Sequence, residues 1–218
     1  MNNPLIRPYL KWAGGKRQLL PELKKHLPKD ISSYTYYEPF VGAGALFFEL
    51  QPGKAVVNDF NDQLILTYTV IKNNVKELVE LLQNHERRHS AEYYYEIRNM
   101  DRNTAKFNTL TNTEKAARLI YLNKTCFNGL YRVNSRGFFN VPLGKYKNPA
   151  VCEEIVLRQI GNYLKSNDID ILNNDFACAV SSAAEQSFIY FDPPYHSPGK
   201  NNFTGYQAGG FGDDEQRR

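Results

Sequence analysis

Apolar positions recur along the chain with two periods, and the changes between them divide it into elements. Lys16 to Leu27 sets Leu19, Leu20, Leu23 and Leu27 at helical spacing, which predicts one amphipathic helix. Tyr34 to Phe40 is aromatic and strand-like, and it runs into the turn Val41-Gly42-Ala43-Gly44. Ala45 to Leu50 then reads as helix, and Ala55-Val56-Val57 as a short strand ending at Asn58-Asp59. That order of strand, glycine turn, helix, strand and acid opens a parallel, doubly wound sheet. Asp62 to Leu82 and Glu92 to Asp101 are helical in pattern, and Thr111-x-x-Glu114 is a capping box ahead of a helix at Ala116 to Cys126. Asn128 to Gly144 mixes turn residues with short apolar pieces, as a hairpin does. Val151 to Leu164 returns to helix and Ile169 to Leu172 to strand. Ser187 to Phe191 is continuously apolar, the pattern of a strand buried on both faces. His196 to Gly212 is rich in Gly and Asn and reads as a loop.

The fold class is therefore α/β, with sheet-forming regions at about 1–60 and 168–195 flanking a helical and hairpin insert at about 61–167. Composition adds one feature. The net charge of +4 identifies no partner, but Lys115, Arg118, Lys124, Arg132, Arg136, Lys145 and Lys147 fall in a stretch to Ala150 with no acid. Clustered bases among aromatic residues point to a polyanion surface. Cys126, Cys152 and Cys178 form no CxxC pair, which argues for a reducing compartment and against a disulfide framework. The first twenty residues hold no signal-peptide core, and no apolar run approaches the roughly 20 residues of a membrane span. A soluble cytoplasmic protein with no metal cluster is expected.

Two motifs carry chemistry. Gly42-x-Gly44 after a strand lets backbone approach a ligand at a helix N-terminus. Phe47 stands where a dinucleotide fingerprint has its third glycine, so a smaller cofactor is favoured over a pyrophosphate. Asp59, at the end of the next strand, is placed to accept hydrogen bonds from ribose hydroxyls. The second motif is Asp192-Pro193-Pro194-Tyr195, at the carboxyl end of a strand, where open α/β sheets place their sites. An aromatic exocyclic amine is a poor nucleophile because its lone pair is delocalised. Accepting its two N–H groups on the Asp192 carboxylate and the Pro193 carbonyl favours a tetrahedral nitrogen with an available pair, and two prolines hold that carbonyl rigid. Tyr195 can stack on a base that has left the duplex.

These motifs stand in order with Lys11-Trp12-Ala13-Gly14-Gly15-Lys16, Glu38-Pro39-Phe40-Val41-Gly42-Ala43-Gly44, Asn58-Asp59-Phe60-Asn61, Phe127-Asn128-Gly129-Leu130-Tyr131-Arg132-Val133-Asn134, Phe139-Asn140-Val141-Pro142 and Asn174-Asp175-Phe176. In that array the whole chain resembles the Dam family of adenine-N6 DNA methyltransferases, specifically its GATC-methylating, DpnII-type branch. The resemblance implies a Rossmann-like S-adenosylmethionine-dependent methyltransferase sheet at 1–60 and 168–218, with 61–167 as an inserted DNA-recognition domain. It implies an S-adenosylmethionine pocket lined by Trp12, Lys16, Phe40, Gly42, Gly44, Asp59, Asp175, Phe176 and Asp192. Lys11, Phe127, Asn128, Leu130, Arg132, Asn134, Arg136 and Pro142 would face double-stranded DNA, Phe127-Asn128 filling the space of a flipped adenine and Arg132 offering a fork to guanine. Lys124, Arg136, Lys145 and Lys147 would meet phosphates. A monomer, nucleoid association and a companion restriction endonuclease encoded nearby are further expectations of the same kind.

The family pattern continues past Asp-Pro-Pro-Tyr through three more strands, whereas this chain stops at Arg218. A fragment or truncated product, poorly stable and weakly active or inactive on its own, is the expectation from that difference. The loop itself also serves cytosine-N4, RNA and protein-amide methylation, so the residues alone leave the methyl acceptor open. They are also compatible with a DNA-binding protein without activity and, less well, with a nucleotide- or NAD-binding enzyme.

Overall fold

A computed structural model describes residues 2–194. Four parallel strands form its sheet: β1 (Thr35–Glu38), β2 (Lys54–Asn58), β3 (Asp168–Leu172) and β4 (Ser187–Ile189), in the order β3-β2-β1-β4. The register pairs Tyr36 with Ala55 on one side and with Phe188 on the other. After β1 the chain adds strands outward on one side and then returns to the other side, so the strand order reverses between β1 and β4. Ligands of open α/β sheets bind at such a reversal, beyond the carboxyl ends of the strands.

The helices are α1 (Leu20–Leu23), α2 (Ala45–Leu50), α3 (Asp62–Arg87), α4 (Ala91–Asn99), α5 (Thr104–Asn108), α6 (Asn112–Thr125), α7 (Glu154–Ser166) and α8 (Phe176–Ala179). Phe47 and Phe48 of α2, Leu64 and Ile71 of α3, Ile120 of α6 and Ile160 of α7 lie in one apolar core with Tyr36 and Val57 of the sheet. A Cβ on Gly161 of α7 would come within 2.7 Å of the Ile71 carbonyl, so glycine lets α7 and α3 meet backbone to backbone. Asn61 and Ser90 cap α3 and α4, and Thr111 and Glu114 form the expected capping box on α6.

Three sequence expectations change. The helix over Lys16 to Leu27 is instead a 3-10 turn (Arg17–Leu19), α1 and a second 3-10 turn (Lys24–His26), and Leu19 is exposed. Pro21 is the cause: it lacks an N–H and its ring clashes with a preceding carbonyl inside a helix, so the helix restarts around it. α7 begins at Glu154 rather than Val151, because Glu86 accepts the N–H groups of Val151 and Cys152 outside any helix. β4 is only partly buried and Phe191 is half exposed, because β4 pairs with β1 alone among the described residues. The hairpin forms with single bridges, Cys126 to Leu143 and Val133 to Phe139, rather than continuous strands. No helix among the described residues is long and apolar enough to cross a membrane.

Candidate active site

The glycine turn sits at the carboxyl end of β1, beside the point where strand order reverses. Gly42 and Gly44 have φ of 51° and 71°, the left-handed region that side chains disfavour. A Cβ on Gly42 would lie 3.1 Å from the Trp12 ring, and one on Gly44 would lie 2.7 Å from the Tyr68 hydroxyl, which itself donates to the Gly42 carbonyl at 3.0 Å. Asp59 clamps the same turn, accepting from the Gly42 N–H at 3.0 Å and the Asn61 N–H at 2.9 Å. Its carboxylate still has unused lone pairs for a hydroxyl. Desolvation pushes Asp59 up to about 6, against the lowering effect of those two bonds.

The loops after β2 and β3 are zipped together. Asn58 exchanges hydrogen bonds with the backbone of Asn174, and Asn173 donates to the Asp59 carbonyl. Asp175 caps α8 by accepting from the Ala177 N–H, which presents Phe176 to the Phe40 ring with centroids 5.4 Å apart. Phe191 approaches Phe40 at 6.5 Å, so the strand end before Asp192 is drawn toward the glycine turn. Phe60, 62% exposed and next to Asp59, is a flat apolar face to which the motifs assign no role.

Asp192, Pro193 and Pro194 follow β4 and are partly buried; Tyr195 lies outside the described residues. Lys16 Nζ reaches both Asp192 oxygens, at 2.6 and 2.5 Å, and donates to the Gly14 carbonyl at 2.8 Å. Glu38, the last residue of β1, is a site residue that sequence reasoning missed. It is 3% exposed and accepts from the Tyr36 hydroxyl at 2.8 Å. Burial pushes it up to about 8; the Tyr36 bond opposes this, while the charges of Asp192 and Asp59 add to it. Its position between a strand and a glycine turn was the available signal.

Residues 11–16 join this crevice to the insert. Trp12 stacks on Tyr131 with centroids 5.1 Å apart while its other contacts wall Gly42. Lys11 exchanges backbone hydrogen bonds with the buried Asn123 side chain, which also donates to the Gly129 carbonyl. Lys11 Nζ donates to the Tyr146 hydroxyl at 3.2 Å. Gly129, with φ of 63°, has no room for a Cβ, which would meet Lys11 Cδ at 2.4 Å.

Next to it, Asn128 also takes a left-handed φ of 54°, leaving Phe127 48% exposed on a tight turn closed by Phe127 N–H to the Pro142 carbonyl. Pro142 and Arg136 are exposed, and Leu130 is partly buried. Arg132 is held at Nε by the Asn140 side-chain oxygen, 2.7 Å, and at Nη2 by the Asn140 carbonyl, 3.3 Å. Asn134 accepts from Arg136 and Phe138 N–H groups, so its first role is to close the hairpin. Two members of the basic stretch are not surface charges. Lys124 pairs with Glu153, and Arg118 is 2% exposed and bound to Asp101. Composition cannot separate a buried, paired cation from a solvated one.

The donor set fits S-adenosylmethionine. Asp59 and Asp192 suit its cationic groups and hydroxyls, the Glu38 carboxyl beside them, raised to about 8, offers a further hydrogen-bonding group, Lys16 suits a carboxylate, and Phe40 and Phe176 offer ring faces beside a turn with no side-chain bulk. The family profile for D12 class N6 adenine-specific DNA methyltransferases (MethyltransfD12) matches residues 12–218. The chain is 46% identical over 214 residues to the type II methyltransferase M1.LlaDCHI of Lactococcus lactis subsp. cremoris, covering 98% of this chain and 74% of that one. It is 42% identical over 230 residues to M.MjaIII of Methanocaldococcus jannaschii, covering 98% and 78%. The DNA adenine methylase of Escherichia coli K12 is 35% identical over 209 residues, covering 94% and 71%.

Proposed function

The chain belongs to the D12 class of N6 adenine-specific DNA methyltransferases, which use S-adenosylmethionine, and from that premise we propose that it methylates adenine within GATC in duplex DNA after flipping the base. The observation that carries this reading is the 11–16 segment, whose side chains touch the insert turn, the glycine turn and the Asp192 carboxylate. A methyl-transfer pocket and a DNA-facing surface are thereby held in one frame. The order of motifs shared with the GATC-methylating branch supports the site, and relatives named type II methyltransferases support a role beside a restriction endonuclease.

When bound, S-adenosylmethionine supplies a methyl group made electrophilic by a sulfonium. Trp12, Lys16, Phe40, Gly42, Gly44, Glu38, Asp59, Asp175 and Phe176 would hold it. Asp192 and the Pro193 carbonyl accept the two N–H groups of the adenine amine and keep its lone pair available. To do so, Asp192 turns one oxygen away from Lys16 while the ammonium keeps the other. With the methyl transferred and its bond to sulfur broken, leaving S-adenosylhomocysteine, the amine nitrogen would carry an extra proton, which Asp192 would take and pass to solvent. Phe127 fills the vacated stack, Arg132 reads a guanine edge through the part of its fork that Asn140 leaves over, and Arg136 meets phosphate.

Labelled S-adenosylmethionine should methylate a GATC duplex and neither a changed site nor an already methylated one; equal labelling of all three removes the site assignment. Asp192→Ala should abolish transfer while DNA binding persists. A duplex with 2-aminopurine at the target should brighten on binding if the base leaves the stack, and a silent probe argues against flipping.

A further inference from the structure

We propose that Asp101 and Arg102 are specificity-determining positioning residues, acting as a surrogate strand that sets the pose of Arg132; the inference rests on the base-reading role given to Arg132 above. The Val133–Phe139 bridge is flanked by hydrogen bonds from Asn140 N–H to Arg132 O and from Asn134 N–H to Phe138 O. In that antiparallel geometry the N–H and C=O of Phe139 itself point outward from the hairpin. Both are taken by side chains: Asp101 Oδ2 accepts the Phe139 N–H at 2.9 Å, and Arg102 Nη2 donates to the Phe139 carbonyl at 2.6 Å. Two adjacent side chains thus supply the donor and acceptor that a neighbouring strand would supply.

The pair is anchored from behind. Arg118 Nη2 lies 2.9 Å from Asp101 Oδ2 and donates to the Arg98 carbonyl, while its Nε donates to the Ile97 carbonyl. Arg102 pairs with the other Asp101 oxygen. The Arg102 guanidinium lies over the Phe138 ring at 5.3 Å, and Tyr131 meets Phe139 edge-on at 6.0 Å. The residue after Phe139 is Asn140, which grips Arg132 twice. A shift of the Phe139 backbone is therefore a shift of the guanidinium fork. A buried ion network adds little net stability over a well-packed apolar replacement, and its best-attested use is to fix register. Here the register it fixes is that of the arm carrying Asn140.

The test uses the full chain with S-adenosylhomocysteine and a pool of duplexes randomised around a fixed adenine, read by binding enrichment so that turnover is not required. Arg102 is the first target because it is partly exposed and its loss leaves Arg118 paired with Asp101. Arg102→Ala should flatten the preference at the one base pair that Arg132→Ala flattens, by about tenfold. S-adenosylhomocysteine affinity should be unchanged, and Arg102→Lys, whose long side chain ends in a donor, should restore part of the preference. A merely structural role would weaken binding to every sequence equally, and that result overturns the proposal. So does an unaltered Arg102→Ala profile beside a flattened Arg132→Ala one. If Arg132→Ala itself leaves the profile intact, the base-reading role fails and this inference falls with it. Should Arg102→Ala not fold, Arg102→Met, which keeps an apolar stem over Phe138 but cannot donate to Phe139, decides in its place: a profile identical to the parent in strength and shape sinks the idea.

Discussion

Glu38 is a carboxylic acid in apolar surroundings, with the charges of Asp192 and Asp59 close enough to oppose its ionisation. Its folded value of about 8 exceeds the ordinary 4.5, so the native state keeps a proton that the unfolded chain has released. Between those values the native state binds more protons than the unfolded one, and stability falls as pH rises. Glu38→Gln keeps an acceptor for Tyr36 and removes the titration. Its melting temperature should vary less with pH than the parent's across this window and exceed it at the alkaline end; parallel profiles would contradict the account. His85 works in the other direction. Desolvation chiefly, and the nearby Arg88 charge, lower it from 6.5 to about 4, and its Nδ1 is engaged with the Tyr93 hydroxyl. As pH falls through that range the unfolded chain takes up the proton first, so stability is lost on acidification. His85→Asn should weaken that acid-side slope in the same melting series.

At the scale of elements, two substitutions separate scaffold from site. Thr111→Ala removes the hydroxyl that caps α6 and should cost about 1 kcal/mol in denaturant unfolding, with cofactor binding unchanged. Gly44→Ala meets both a left-handed φ and a Cβ 2.7 Å from the Tyr68 hydroxyl. The φ alone costs about 1–2 kcal/mol, and S-adenosylhomocysteine affinity should fall with it, because the turn that distorts is the one proposed to face the ligand. The strand, glycine turn, helix and acid were legible in the sequence because each is defined by neighbours within a few residues. So were the capping box and the Asp-Pro-Pro run. What could not be read was long-range. Lys16 and Asp192 are 176 residues apart, and their pairing has no local signature. Arg118 resembled a surface charge because its partner, Asp101, lies on another element. Pro21 was legible in principle, but the leucine spacing around it masked the break.

For the whole molecule, the 11–16 segment ties the glycine turn and Asp192 to the turns around Gly129 and Tyr146. Trp12→Ala should therefore lower S-adenosylhomocysteine affinity and duplex affinity together, since it removes both the wall beside Gly42 and the ring stacked on Tyr131. Arg136→Ala should lower duplex affinity alone, with a shallower dependence on salt. Equilibrium binding of each ligand to each variant distinguishes the two, and a Trp12→Ala chain that loses only one affinity would uncouple the halves. The Asn123 amide has a consequence of another sort. It binds the backbone of Lys11 and the carbonyl of Gly129, never their side chains. A main-chain contact of this kind survives a change of the Lys11 side chain, although Gly129 beside it must remain glycine. On the proposed reading, the Lys11 side chain can then be exchanged for another while the backbone that carries it stays in place. If Lys11 faces DNA as proposed, a change of the letter it displays leaves the page beneath it as it was.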